Sequence, residues 1–164
     1  MWGIIQRFRR AGTYPLTKPP HLDLGERGER VAAQFLLEQG YRIVATNFIA
    51  PIGYSRDGRQ ITAEIDIIAY DESSAPFYLA FVEVKTRTSS DIATPESAVD
   101  VRKRRQIARA AGVYRRLIAV EAEPYRYDVV SIVIESVEKT RISLLRGYFT
   151  DRRFERSNWM RDKI

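Results

Sequence analysis

The stretch FYLAFVEVKTR, residues 77–87, decides the fold. Its run of aromatic and β-branched residues reads as a strand covered on both faces. Side chains alternate along a strand, so Glu83 and Lys85 share one face while Val82 and Val84 take the other. Upstream, ITAEIDIIAY at 61–70 reads as a second strand, and the same rule sets Glu64 and Asp66 on one face and Ile65 and Ile67 opposite. The turn formers DESSAP, 71–76, make the two strands a predicted hairpin. Glu64, Asp66 and Glu83 would then gather with Lys85 at one end of a sheet.

Working outward, YRIVATNF at 41–48 reads as a preceding strand, and IAPIGYSRDGRQ at 49–60 as a protruding loop or hairpin tip around Asp57-Gly58. Leu24, Val31, Ala32, Phe35 and Leu36 fall at helical spacing, with Asp23 as cap and Gly40 as stop. A second helix is expected from about Pro95 to Ile118, burying Ile107, Ala111, Tyr114 and Ile118. Two strands, YDVVSIVIE at 127–135 and RISLLRGYF at 141–149, close the pattern. The order is αβββαββ, an α/β domain with about five strands in a mixed sheet flanked by helices. Residues 1–22 read as a basic leader, 23–148 as the domain and 149–164 as a basic tail. Within the leader, Trp2, Ile4, Ile5 and Phe8 would form the apolar face of a short amphipathic helix.

The 164 residues carry 27 Lys and Arg against 21 Asp and Glu, a net charge of +6 that favours a polyanionic partner. No cysteine is present, which excludes disulfides, thiolate zinc sites and cysteine nucleophiles. A single histidine, His21, leaves no His-based metal cluster, so carboxylates must hold any metal and the ion would be a hard one, Mg2+ or Mn2+. No apolar run is long enough to span a bilayer, and the start reverses the order of a secretory signal. A cytoplasmic location is the expectation.

Gathered carboxylates repel one another and desolvate at high cost unless a cation lies among them. A divalent ion there polarises a phosphoryl oxygen and lowers the pKa of a bound water. Lys85 could orient the attacking water or stabilise charge on the phosphorane. An isolated E-x-K is too short to discriminate, and an exposed strand-end ion pair is its ordinary meaning. The acidic strand upstream and Glu26 and Glu29 on the first helix supply context.

GERGERVAAQFLLEQGYRIVATN (25–47), EIDIIAYD (64–71), FVEVKTR (81–87), PESAVDVRKRRQIARAAGVY (95–114) and YDVVSIVI (127–134) together resemble the YraN family of small bacterial proteins. That family is similar to archaeal Holliday-junction resolvases within the restriction-endonuclease-like PD-(D/E)xK superfamily. The resemblance implies a restriction-endonuclease-like core and a metal-dependent endonuclease acting on DNA, branched or single-stranded. It implies Glu29 as the first-helix carboxylate, Asp66 and Glu83 as metal ligands, and Lys85 as the catalytic lysine; Glu64 is a further candidate ligand from strand alternation alone. Ala63 stands where the family pattern has Gly, and the segment 50–60 is longer than the pattern, either a DNA-contacting finger with Arg56 and Arg59 or a tolerated insertion.

For nucleic-acid contact, Thr86 and Arg87 leave the strand beside the proposed site. Arg102, Arg105, Arg109 and Arg116 form a stripe opposite the buried face of the second helix, where a solvated helix face is the ordinary explanation. Lys103 projects toward the sheet instead. Asp128 and the tyrosines 125, 127 and 148 are expected to be structural. The competing reading is a DNA-binding protein with a nuclease-like fold and no cleavage, and a homodimer would suit two-fold cutting of a junction.

Overall fold

The computed structural model describes residues 20–73, 75–88, 99–135 and 139–151. Helix α1 spans Pro20–Glu38 and is followed by β1 (Tyr41–Tyr54), β2 (Gln60–Asp71) and β3 (Tyr78–Thr88), then α2 (Val101–Leu117), β4 (Tyr125–Ile134) and β5 (Thr140–Phe149). The sheet order is β1-β2-β3-β4-β5, with β3 and β4 parallel and the other neighbours antiparallel. A parallel pair needs a crossover, and α2 lies in that connection. This is the mixed α/β sheet expected from the order αβββαββ. The amphipathic segment 2–8 and most of the basic tail lie outside the described residues.

Among the described residues each face of the sheet carries one helix. Ile65, Ile68, Leu79, Phe81 and Val129 pack with Ile107, Ala110, Ala111 and Tyr114 of α2. Ile67, Ala69, Ala80, Val82, Val130 and Ile132 pack with Ala32 and Leu36 of α1. Coverage on both faces is why Leu79–Val82 are buried without a break. Full burial of Leu79, Phe81 and Val82 stabilises the fold by about 1.5–3 kcal/mol each. Tyr127, expected to be structural, is buried here and stacks on Phe149 at 4.4 Å between ring centroids.

Several boundaries differ from expectation. Helix α1 begins at Pro20, inside the segment read as leader, so Asp23 lies within the helix and not at its start. Proline suits a first turn, where its missing N–H has no intrahelical partner. The far end is as expected: Gly40 adopts φ +83° and Gln39 N–H closes on Phe35 O at 3.0 Å. Helix α2 starts at Val101, later than Pro95, because the Asp100 side chain accepts from Lys103 N–H at 2.8 Å and caps it. Ile118 follows the last helical turn and is 41% exposed, outside the buried stripe. Residues 50–54 are strand, and the loop shrinks to a tight turn in which Ser55 N–H bonds Arg59 O and Gly58 N–H bonds Ser55 O. Ala63, in place of the family glycine, packs in the α2-side core in regular register with Ala50.

A buried polar clasp ties β1, β2, β4 and β5 together. Arg126 donates to both oxygens of Asp128, at 2.9 and 3.0 Å, and to Asp71 and the Tyr41 hydroxyl. Tyr41 donates to Asp128 at 3.0 Å, Arg146 donates to Tyr41 at 3.1 Å, and Gly147 N–H donates to Asp128 at 2.9 Å. Asp128 is 0% exposed, so its charge depends on these partners, which gives it the structural role expected of it. Among the described residues no helix is long and apolar enough to cross a membrane.

Candidate active site

The ladder between β2 and β3 runs from Asp71↔Tyr78 to Ile67↔Val82 and ends there. Asp66 and Glu83 are the next residues on the two strands. Beyond them β2 continues with β1 as far as Gln60, and β3 continues with β4 as far as Thr88. The sheet therefore forks at the two carboxylates. Asp66 occupies the gap, with Oδ2 accepting the Val84 N–H at 2.7 Å. That bond replaces a ladder partner the backbone has lost at the fork.

Lysines from two elements meet Glu83. Lys85 Nζ lies 2.8 Å from Oε1, the same-face arrangement expected of E-x-K. Lys103 reaches across from α2, with Nζ 3.0 Å from Oε2 and 3.4 Å from the main-chain oxygen of Glu64. The ion pair with Lys103 falls outside hydrogen-bond geometry, so the buried Oε2 of Glu83 has a counter-charge without a hydrogen bond. Glu83 itself is 2% exposed.

Helix α1 closes the other side. A Cβ on Gly28 would overlap Thr86 Oγ1 and lie 3.0 Å from Thr86 Cβ, so only glycine lets the helix sit this close to β3. The next residue, Glu29, accepts from Asn47 Nδ2 at 2.8 Å.

The electrostatics follow from this packing. Burial, and next the charge of Glu83, push Asp66 up to about 7, against the Val84 N–H and Lys103, which favour its ionised form; Glu29 adds to the rise. Burial alone would lower Lys103, but the charge of Glu83 and its contact outweigh it and hold Lys103 above the ordinary lysine range. A half-buried Asp66 that is hard to ionise, beside a buried Glu83 with one oxygen lacking a hydrogen bond, fits a hard divalent cation held through the two carboxylates.

Of the residues expected in the site, Asp66, Glu83, Lys85 and Lys103 are brought together, and Glu29 approaches from α1. Glu64 is not brought in as a ligand. Its side chain is exposed, and among the described residues no three carboxylates or histidines converge closely enough to hold one ion. Strict alternation fails at Asp66: Ile65 packs on the α2 side and Ile67 on the α1 side. Thr86 does not face the Glu83–Lys85 side either, because its hydroxyl is buried under Gly28. Arg87 is half-buried at the end of β3, and Arg102, Arg105, Arg109 and Arg116 are exposed along α2. Sequence reasoning missed Asn47. The available signal was an Asn inside a strand pattern, a residue that tolerates positive φ.

A five-stranded mixed sheet with a helix on each face, in the order αβββαββ, makes the described residues an α/β core consistent with the fold that the sequence resemblance implied. Within that class the chain belongs to uncharacterised protein family UPF0102, the YraN family, whose sequence model matches residues 28–132. A UPF0102 protein of Koribacter versatilis is 42% identical over 132 residues, covering 80% of this chain and 82% of the relative. One from Symbiobacterium thermophilum is 38% identical over 126 residues, covering 77% and 95%. One from Porphyromonas gingivalis is 41% identical over 116 residues, covering 71% and 75%. The matched region contains Glu29, Asp66, Glu83, Lys85 and Lys103.

Proposed function

We propose that the protein is a divalent-cation-dependent phosphodiesterase acting on DNA, with branched or single-stranded forms as the first substrates to try. The observation that carries this reading is the fork, which holds Asp66 and Glu83 at the end of the β2–β3 ladder with Lys85 on Glu83. Asp66 and Glu83 would hold Mg2+ or Mn2+. When bound, the ion supplies Lewis-acid polarisation of the phosphoryl oxygen and a more acidic water. Lys85, on the same face as Glu83, presents its ammonium where negative charge develops on the phosphorane. Lys103 holds Glu83 from the α2 side and offers a second cation for a phosphate oxygen. The exposed arginines of α2, the helix that also carries Lys103 to Glu83, support a polyanionic partner such as DNA.

The test is manganese titration by calorimetry into wild type and Asp66→Ala, followed by cleavage of linear, branched and single-stranded DNA with the same samples. Binding and cleavage by the wild type alone are expected. Intact DNA of all three kinds with magnesium and with manganese would remove the enzymatic claim.

One observation favours a second reading, DNA binding without cleavage. Both oxygens of Glu83 already face lysine ammonium groups, so this carboxylate is compensated without an ion. On that reading salt-sensitive DNA binding survives Asp66→Ala, and the wild type has no turnover to lose.

A further inference from the structure

The β1–β2 ladder passes from Thr46↔Ile67 to Phe48↔Ile65 without pairing Asn47 with Asp66. At that break Asn47 adopts φ +51°, a left-handed conformation that few side chains tolerate and Asn does. The kink coincides with the change of core face on β2 between Ile65 and Ile67. Asn47 therefore stands across from Asp66, outside the ladder, and its side-chain amide donates to Glu29 Oε2 at 2.8 Å. Glu29 has its own backbone anchor. Gly28 is pressed onto Thr86, the residue after Lys85, which fixes the height of α1 over β3. The helix backbone is set by one contact and the carboxylate direction by the other.

We propose that Asn47 is a positioning residue: from its left-handed kink, across from Asp66, it orients the Glu29 carboxylate of α1 toward the fork, where Glu29 acts on the cation site from outside the ligand pair Asp66 and Glu83. The inference rests on the cation-dependent reading above and adds the residue that recruits the helix to it. A carboxylate on a helix surface otherwise samples several rotamers, and an amide donor opposite the fork selects one. Glycine at 47 would preserve the backbone and remove the donor. Aspartate would preserve the backbone and set a like charge against Glu29.

The experiment compares wild type, Asn47→Gly, Asn47→Asp, Glu29→Gln and the double variant Asn47→Gly/Glu29→Gln. Each is first shown to be folded by circular dichroism, then titrated with manganese by calorimetry and assayed for single-turnover DNA cleavage. Asn47→Gly and Glu29→Gln should each weaken manganese affinity by about tenfold, the size typical of groups that orient metal ligands. The double variant should be no weaker than either single, because both remove one interaction. Asn47→Asp should be weaker than Asn47→Gly. Folded Asn47→Gly with wild-type manganese affinity and cleavage overturns the positioning role and leaves the nuclease reading standing, and so does a loss in the double variant equal to the sum of the singles. A wild type that neither binds manganese nor cleaves overturns both.

Discussion

Asp66 accepts the Val84 N–H at 2.7 Å across the point where β2 and β3 separate. The acceptor that completes the sheet there is a side chain that burial and Glu83 make hard to ionise, with its pKa raised from 3.8 to about 7.

The folded protein therefore binds this proton more tightly than the unfolded chain does. Without metal, stability should fall as pH rises from the ordinary 3.8 toward about 7, and stay reduced above it. Asp66→Asn keeps an acceptor for Val84 and removes the charge. It should be more stable than wild type at pH 8, by about 1–3 kcal/mol, with the difference closing toward pH 4. Urea denaturation across that range measures it, and a wild type more stable at pH 8 would refute the argument. Manganese should raise the stability of wild type and not of the variant.

The clasp around Arg126 predicts the opposite pH slope. Burial alone would raise Asp71, but hydrogen bonds from Ser73 and Arg126 outweigh it and hold it at about 2. Its contribution is complete above the ordinary 3.8 and disappears as pH falls through about 2. Asp71→Asn should flatten the acid limb of the stability curve. Arg126→Ala leaves Asp128 buried and unpaired by its guanidinium, and should cost about 3–5 kcal/mol at neutral pH. Thermal melts of both variants from acid to neutral pH check the pair of expectations.

Gly28→Ala tests how closely α1 must approach β3. Alanine favours a helix by about 1 kcal/mol over glycine. The overlap with Thr86 should outweigh that gain and leave a net loss of about 1–2 kcal/mol. Adding Thr86→Ala removes the overlapping oxygen and should restore part of the loss. A Gly28→Ala protein more stable than wild type would show that α1 has room to move outward.

On α2, Arg102→Ala, Arg105→Ala and Arg109→Ala should each weaken DNA binding to a similar degree across unrelated sequences. Each should also lower the slope of log affinity against log salt by about 1. Fluorescence anisotropy over a salt series reads both quantities. An unchanged slope in the triple variant would assign these residues to the solvated helix face alone.

Sequence patterning carried the fold a long way. The apolar run of β3, the helical spacing of α1 and the E-x-K pair were legible because each is a local periodicity, and Lys85 sits on Glu83 as alternation requires. What failed was non-local. Glu64 was grouped with Asp66 by alternation, but alternation breaks at Asp66 itself, between Ile65 on the α2 side and Ile67 on the α1 side, opposite the kink at Asn47 on the neighbouring strand. Thr86 was placed beside the site from its position after Lys85, and the close approach of Gly28 from a distant helix decides otherwise. Lys103 was correctly turned toward the sheet by its helical angle, but that it meets Glu83 depends on where α2 lies.

The parallel pairing of β3 with β4 also bears on the order of synthesis. Glu29, Asn47, Asp66, Glu83 and Lys85 all precede α2 in the chain, and the antiparallel meander that carries most of them needs only local hairpins. Lys103 and the β4 partner of β3 emerge from the ribosome later, and short-range contacts form before long-range ones. During synthesis the acidic half of the fork thus leaves the ribosome before the second lysine that compensates it. For that interval Lys85 is the one lysine of the pair available to Glu83.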